Sequence, residues 1–96
     1  MIPYGRQDVS QTDIDAVVAV LRSDWLTQGP MVPRFEQAVA AKVGARHAVA
    51  VNSATSALHI ACLALNLGPG DRLWTVPNTF VASANCGRYC GAEVDF

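Results

Sequence analysis

Hydrophobic residues recur at helical spacing near the start of the chain. The first such stretch opens with Ser10 and, three residues later, Asp13, which together are typical of a helix N-terminus. The apolar residues that follow fall on one helical face: Ile14, Val17, Val18 and Leu21. The pattern predicts a helix that begins after Ser10 and ends near Ser23.

A second helix is predicted from about Pro33 to Gly44. Proline is tolerated in the first turn of a helix, and glycine is a natural residue at the C-terminal cap. The residues expected to face inward are Phe35, Val39 and Val43. Residues 24–30 show neither helical nor alternating periodicity and close on Gly29-Pro30, so they are predicted to form a loop.

From Arg46 onward, β-type runs alternate with helical stretches. The predicted strands cover residues 46–51, 72–76 and 92–96, and the predicted helices cover residues 54–67 and 79–90. Strands separated by helices of this length imply right-handed crossovers and a parallel sheet. The expected fold is therefore α/β, with two N-terminal helices followed by βαβαβ.

The predicted sheet is incomplete. Parallel sheets bury both faces, and three strands with no helix after residues 92–96 cannot do so. At 96 residues the chain also lies near the lower limit for independent stability. We therefore expect partners, or a longer protein of which this is the leading part, to supply the remainder of the sheet.

Composition and charge exclude several classes of protein. With 51% hydrophobic residues, 16% charged residues and 5 prolines, the chain is not a disordered tail, a collagen or a coiled coil. The net charge of -1 argues against a protein that depends on many phosphate contacts along nucleic acid. Neither a membrane span nor a secretory signal is predicted, so a cytoplasmic location is expected.

The cysteines and histidines suggest no chemistry on their own. The three cysteines, Cys62, Cys86 and Cys90, are expected to be reduced and to pack as small apolar residues. No metal site is expected, because further ligands lie far away in sequence. His47 and His59 lack the neighbouring acid and nucleophile of a hydrolytic triad.

The junction at residues 52–57 is a candidate anion site. Free N–H groups at a helix N-terminus attract anions, and the hydroxyls of Ser53, Thr55 and Ser56 add further donors. An ordinary N-cap explains the same residues equally simply. The junction is neither a P-loop nor a Gly-x-Gly-x-x-Gly turn, which weakens a nucleotide-binding interpretation.

Two further segments are candidates for ligand contact. The turn at residues 77–80 follows a predicted strand at the sheet edge where ligands bind in such folds, and its Phe80 would either stack on a planar ring or belong to the core. The loop at residues 24–29 combines Trp25 with Thr27 and Gln28, a mixture that suits a polar ligand such as a sugar.

These residues together resemble a known family. The chain is similar over essentially its whole length to the N-terminal part of the DegT/DnrJ/EryC1/StrS family, pyridoxal-phosphate-dependent sugar aminotransferases of fold type I. The similarity rests on four blocks in the same order, namely residues 24–36, 47–59, 68–71 and 77–85. It implies that residues 1–45 form an N-terminal arm and helices with a substrate-side loop, and that residues 46–96 begin a three-layer, mostly parallel large domain.

The resemblance also implies site residues and ligands. The phosphate of pyridoxal 5'-phosphate would bind Ser53, Ala54 and Thr55, and Phe80 would stack on its ring. The substrate side would comprise Tyr4, Asp24, Trp25, Leu26, Thr27 and Gln28. The implied reaction moves an amino group, typically from glutamate, to the C4 keto carbon of a UDP-linked 4-keto-6-deoxy amino sugar, in a homodimeric enzyme.

No catalytic residue of the family falls within this chain. The lysine that forms a Schiff base with the cofactor lies in the family beyond the equivalent of Phe96. The single lysine here, Lys42, lies at the end of the second predicted helix, where the helix dipole accounts for a basic residue. The chain alone is therefore expected to be inactive.

Three alternatives remain open. A small α/β binding module without catalysis, or a remnant, would also lack an activated nucleophile, a metal set and a suitable lysine. A different sugar aminotransferase would share the same N-terminal blocks. So would a dehydratase of the family in which histidine replaces the lysine, because the deciding position lies beyond Phe96.

Overall fold

The described part of the chain forms four helices and two strands. The computed structural model describes Ile2 and residues 4–96. The elements are α1 (Gln11–Leu21), α2 (Met31–Val43), α3 (Ala54–Ala64), β1 (Arg72–Trp74), α4 (Ala82–Tyr89) and β2 (Glu93–Asp95). They divide between two compact units, residues 1–48 and 49–96. Among the helices of the described residues, none has the length and apolar run needed to span a bilayer.

In unit 1, a reciprocal pair of hydrogen bonds fixes the start of α1. The Ser10 backbone N–H donates to Asp13 Oδ2 at 2.8 Å, and the Asp13 N–H donates to Ser10 Oγ at 3.3 Å. This capping box satisfies donors that a helix start otherwise leaves unpaired. The N-cap predicted at Ser10 is confirmed, and the helix ends at Leu21, two residues before the predicted Ser23.

Helix α2 begins two residues earlier than predicted. Pro30 is its N-cap and Pro33 lies in the first turn, where the missing N–H costs no intrahelical bond. The end is as predicted: Gly44 adopts a φ of 70° and donates its N–H to Ala40 O. Ala40 is the buried residue of this helix.

In unit 2, α3 ends at Ala64, three residues before the predicted Leu67. Asn66 takes a left-handed φ of 57°, a conformation that asparagine tolerates better than most residues. The N–H groups of Asn66 and Leu67 then donate to Leu63 O and Cys62 O, at 2.9 and 3.0 Å. These two bonds form the Schellman motif that terminates helices.

The sheet of unit 2 is parallel, as predicted, but has two strands instead of three. β1 pairs with β2 in the register Arg72↔Glu93, Leu73↔Val94 and Trp74↔Asp95. The strand predicted at residues 46–51 is wrong, because those residues form neither helix nor strand. Their alternating pattern suits a strand, but a strand also needs a neighbouring ladder, and the sheet of the described residues contains β1 and β2 alone.

Helix α4 packs on this sheet through Gly87. A Cβ at Gly87 would lie 2.9 Å from Leu73 Cδ2, 3.0 Å from Leu73 Cβ and 3.3 Å from Val94 Cγ2. The helix therefore approaches the sheet more closely than a side chain would allow. It begins at Ala82, three residues after the predicted Thr79, because Phe80 O and Val81 O first accept the N–H groups of Ser83 and Ala84 in a tight turn.

Gly87→Val is expected to destabilise unit 2 by about 1–3 kcal/mol, because the added atoms overlap Leu73. Amide hydrogen exchange should show faster exchange throughout α4 and β2. Gly68→Ala is the control, since a Cβ at Gly68 would meet nothing nearer than Cys90 O at 3.9 Å. Equal exchange in the two variants would contradict the close packing of α4.

The stability of α1 is expected to depend on pH through Asp13. Hydrogen bonds from the Ser10 backbone, and then from its side chain, lower the pKa of Asp13 from its ordinary value of 3.8. The stabilisation is present above that value and is lost as pH falls through the lowered pKa. Amide exchange in α1 should be faster in Asp13→Asn at neutral pH, with the difference vanishing in acid. Asp8→Asn, outside the helix, should change nothing; a persistent difference in acid would contradict this mechanism.

Candidate functional site

The N-terminus of α3 is closed by a chain of side-chain hydrogen bonds. Ser53 is the N-cap, and its Oγ accepts the Ser56 N–H at 3.1 Å. The Ser56 hydroxyl donates to Asn52 Oδ1 at 2.8 Å and lies 3.0 Å from Ser53 Oγ. These three side chains are therefore engaged with one another and fix the backbone of the turn.

The next two residues keep their donors available. Within the described residues, the N–H groups of Ala54 and Thr55 and the hydroxyl of half-buried Thr55 make no hydrogen bond. Two free N–H groups at the positive end of a helix dipole favour an anion, and the methyl side chain of Ala54 leaves room for one. The turn can thus accept a phosphate group while its own cap stays intact.

The structure divides the hydroxyls differently from the sequence prediction. That prediction treated Ser53, Thr55 and Ser56 alike as donors toward an anion. In the structure Ser53 and Ser56 serve the cap, and Thr55 alone keeps an unengaged hydroxyl. The ordinary N-cap and the predicted anion site are therefore compatible with each other, because Ser53 and Ser56 form the cap and the predicted site would use the donors of Ala54 and Thr55.

Phe80 lies in the same unit, on the segment between β1 and α4. Phe80 is 73% exposed, so within this unit it does not belong to the core. The backbone around it is held by the bond from the Ser83 N–H to Phe80 O, at 3.0 Å, and the Thr79 and Ser83 hydroxyls lie 3.2 Å apart. An exposed aromatic ring on a fixed turn suits stacking on a planar ligand.

The predicted substrate-side residues lie in unit 1. Tyr4 and residues 24–28 are all exposed, and the latter form a loop as predicted. Ser23 Oγ holds this loop: it accepts the Trp25 N–H at 3.2 Å and lies within donating distance of Trp25 O and Val20 O, at 3.1 and 2.7 Å. The loop therefore has a defined backbone and presents its side chains to solvent.

Gly29 is required for this loop conformation. A Cβ there would lie 2.6 Å from Trp25 Cβ, which is closer than real side chains approach. The preceding Gln28 takes a left-handed φ of 52°. The Gly-Pro pair that the sequence marked as a break thus allows the chain to fold back on Trp25 before α2 starts.

A cluster of three thiols, which the sequence interpretation missed, lies where α3 packs against α4. Cys62 comes from α3, Cys86 from α4, and Cys90 is the C-cap of α4. Burial, and after it the neighbouring thiols of Cys86 and Cys90, together raise the pKa of Cys62 to about 11. Cys86 Sγ also donates to Ser83 O at 3.4 Å. The sequence shows only that Cys86 and Cys90 are four residues apart. Their proximity to Cys62 depends on the tertiary packing of α3 on α4, which the sequence does not show.

The lysine and histidine that the sequence analysis considered have simple structural surroundings. Lys42 is exposed in the last turn of α2, where the dipole argument placed it. The rings of His59 and Tyr89 pack together with centroids 5.2 Å apart. Across the part of the chain that the structure describes, no group of three or more His, Cys, Asp or Glu residues has a geometry that could hold a metal ion.

Residues 7–96 match the DegT/DnrJ/EryC1/StrS aminotransferase family. Over 95 residues the chain is 46% identical to the spore coat polysaccharide biosynthesis protein SpsC of Bacillus subtilis, covering 99% of this chain and 24% of that protein. Over 96 residues it is 45% identical to the UDP-4-amino-4,6-dideoxy-N-acetyl-beta-L-altrosamine transaminase of Campylobacter jejuni, covering 100% and 25%. The chain therefore spans about a quarter of the length of these curated relatives.

Solved structures show the same fold. A sugar aminotransferase of Streptococcus pneumoniae, solved in apo, PMP and PLP forms, superposes with a TM-score of 0.90 at 33% identity, covering 98% of this chain and 24% of that one. DesV of S. venezuelae, solved with a ketimine intermediate, gives 0.78 at 37% identity, covering 86% and 23%. The described α/β structure therefore corresponds to part of the fold of these aminotransferases.

The thiols are expected to react with iodoacetamide in the order of their exposure. At neutral pH, half-buried Cys90 should be alkylated first, and Cys62 and Cys86 should stay protected. Because the pKa of Cys62 is raised from 9.0 to about 11, its neutral form is favoured in the fold. The stabilisation this gives is lost as pH rises from 9.0 through about 11. Mass spectrometry of the alkylated peptides measures the order; early labelling of Cys62 would contradict the packing of α3 on α4.

Proposed function

This chain belongs to the DegT/DnrJ/EryC1/StrS aminotransferase family, and we propose on that premise that it is the part of a sugar aminotransferase that holds the phosphate and ring of pyridoxal 5'-phosphate. The observation that carries the proposal is the N-terminus of α3, where Ala54 and Thr55 keep free donors beside an intact cap. The solved relative from Streptococcus pneumoniae, whose fold this chain shares, is recorded in PLP and PMP forms.

The residues present fit this cofactor. The Ala54 and Thr55 N–H groups and the Thr55 hydroxyl would donate to its phosphate, and Ser53 would hold the turn that presents them. Phe80, exposed on its turn, would stack on the pyridine ring. When bound, pyridoxal phosphate supplies an electron sink through which an amino group is transferred. This chain's contribution is to bind and orient the cofactor.

The proposed substrate is a sugar nucleotide. Tyr4, Asp24, Trp25, Leu26, Thr27 and Gln28 would form part of its binding surface, since an exposed aromatic residue with amide and hydroxyl side chains suits a sugar. The Campylobacter jejuni relative is named for transamination of a UDP-linked amino sugar. We infer that the complete enzyme transfers an amino group, from glutamate, to the C4 keto carbon of a UDP-linked 4-keto-6-deoxy amino sugar.

The cellular role, assembly and organisation are proposed on the same basis. The product would enter polysaccharide or glycan synthesis, pseudaminic acid synthesis in particular, and the complete enzyme would be a cytoplasmic homodimer. Residues 1–45 would form the substrate-side arm, and residues 46–96 would begin the cofactor-binding large domain. The B. subtilis relative, named for spore coat polysaccharide synthesis, supports the polysaccharide role.

The catalytic lysine is proposed to lie outside this chain. Lys42 is the single lysine of the 96 residues, and it is exposed at the end of α2 in unit 1. The chain alone would thus bind cofactor without turning over substrate.

Thr55→Val is expected to weaken binding of pyridoxal 5'-phosphate about tenfold to a hundredfold. The change removes one hydrogen bond to a charged group, worth about 1.5–3 kcal/mol, and keeps the size and branching of the side chain. Phosphorus NMR line broadening of pyridoxal 5'-phosphate by the 96-residue chain measures weak binding directly. Lys42→Arg is the matched control and should bind as the unmodified chain does.

Two results would overturn this assignment. If Lys42→Arg abolished binding while Thr55→Val left it unchanged, the cradle would not be at α3. If the 96-residue chain alone transferred an amino group from glutamate to a UDP-linked keto sugar, the catalytic lysine would not lie elsewhere. Pyridoxal, which lacks the phosphate, should bind no more tightly to the unmodified chain than it binds to Thr55→Val.

A further inference from the structure

Three cysteine thiols lie together between α3 and α4 and have no part in the proposed function. Cys62 and Cys86 are 7% and 3% exposed, and Cys90 is half-buried. All three are free thiols. The Cys62 thiol lies within hydrogen-bonding reach of the other two. Two thiols in contact form the arrangement that thiol–disulfide exchange converts into a disulfide.

Contacts that do not involve the sulfur atoms also bring the end of α4 to α3. The rings of His59 and Tyr89 pack together with centroids 5.2 Å apart. His59 lies one helical turn before Cys62, and Tyr89 directly precedes Cys90. A Cβ at Gly68, in the segment after α3, would lie 3.9 Å from Cys90 O. Packing on both sides of the thiols therefore holds Cys62 and Cys90 near each other.

The three thiols differ in how readily they meet a reagent. The Cys86 thiol is buried and donates to Ser83 O at 3.4 Å. Cys62 is kept as the neutral thiol, because burial and then its neighbouring thiols raise its pKa to about 11. The thiolate is the form that attacks a disulfide. Cys90, the most accessible of the three, is therefore the thiol that reacts first.

We propose that Cys90 and Cys62 form a reversible internal disulfide when the chain meets a low-molecular-weight disulfide such as oxidised glutathione. The bond would join α3 to the C-cap of α4 where the two helices pack. Neither cysteine belongs to the proposed cofactor cradle, so the inference goes beyond the proposed function and does not rest on it.

Two exchange steps give this bond. The Cys90 sulfur releases its proton to solvent and attacks one sulfur of oxidised glutathione, so that a mixed disulfide forms and one glutathione leaves and takes up a proton. The Cys62 sulfur then releases its proton and attacks the Cys90 sulfur, and the second glutathione leaves in the same way. Two protein thiols are thereby oxidised, and their two electrons reduce one oxidised glutathione to two molecules of thiol.

The test treats the folded 96-residue chain with oxidised glutathione and maps its disulfides by mass spectrometry of unreduced peptides. The chain should lose two hydrogen atoms in mass and retain no glutathione. The crosslinked peptides should contain Cys62 and Cys90. Excess reduced glutathione should restore all three free thiols, because both exchange steps are reversible.

Serine variants separate the two steps. In Cys62→Ser the reaction should stop with one glutathione on Cys90, since the thiol that displaces it is gone. Cys90→Ser should lose its free thiols roughly tenfold more slowly or less readily still, because the two that remain are buried. Cys86→Ser is the matched control: a hydroxyl there can still donate to Ser83 O, and the internal disulfide should form as in the unmodified chain. Amide exchange checks that each variant is folded.

The same reaction in urea shows whether the fold selects the pair. In an unfolded chain the shortest loop closes most readily, so Cys86–Cys90 should become the main disulfide. The expected change of pair between the folded and the unfolded chain is the direct sign that packing of α3 on α4 determines the product.

Three results would overturn the inference. One is a folded chain that keeps glutathione on Cys90 and forms no internal disulfide. Another is a main product in which Cys86 takes the place of Cys62 or Cys90. The third is the same disulfide in the folded and the unfolded chain, which would mean that the packing of the helices does not select it.

Discussion

The contact of α4 with the two-stranded sheet at Gly87 is the interaction on which unit 2 depends. Because position 87 has no side chain, Leu73 and Val94 touch the helix directly. That approach brings Cys86 and Gly87 of α4 into the buried interior of the unit. Phe80 lies on the segment that leads into this helix, seven residues before Gly87.

The buried residues show how little of a core these 96 residues make. Within the described part of the chain, they are alanines, cysteines and Gly87, whereas large apolar side chains such as Trp74 and Leu65 are 67% and 82% exposed. Small side chains allow helices and strands to approach closely, and large apolar side chains normally fill the space between them. The close contacts between elements are thus formed, but large apolar side chains do not pack around them.

Features set by a few neighbouring residues were predictable from the sequence, and features set by distant partners were not. Ser10 and Gly44 cap their helices as expected, because cap chemistry is local. The strand expected at residues 46–51 does not form, since its alternating pattern carries no information about which strand would pair with it. The candidate turn at Ser53 was found from its small polar residues, but which hydroxyls stay unengaged depends on the folded geometry.

The hydrogen bonds among Asn52, Ser53 and Ser56 have a consequence for binding thermodynamics. They form as the chain folds and hold the Ala54 and Thr55 amides in one orientation before any anion arrives. The turn is thus preorganised: the conformational entropy of ordering it is lost in folding and would not oppose the proposed binding of a phosphate. A loop of the same composition without this cap would have to lose that entropy on binding, and would hold the same group more weakly.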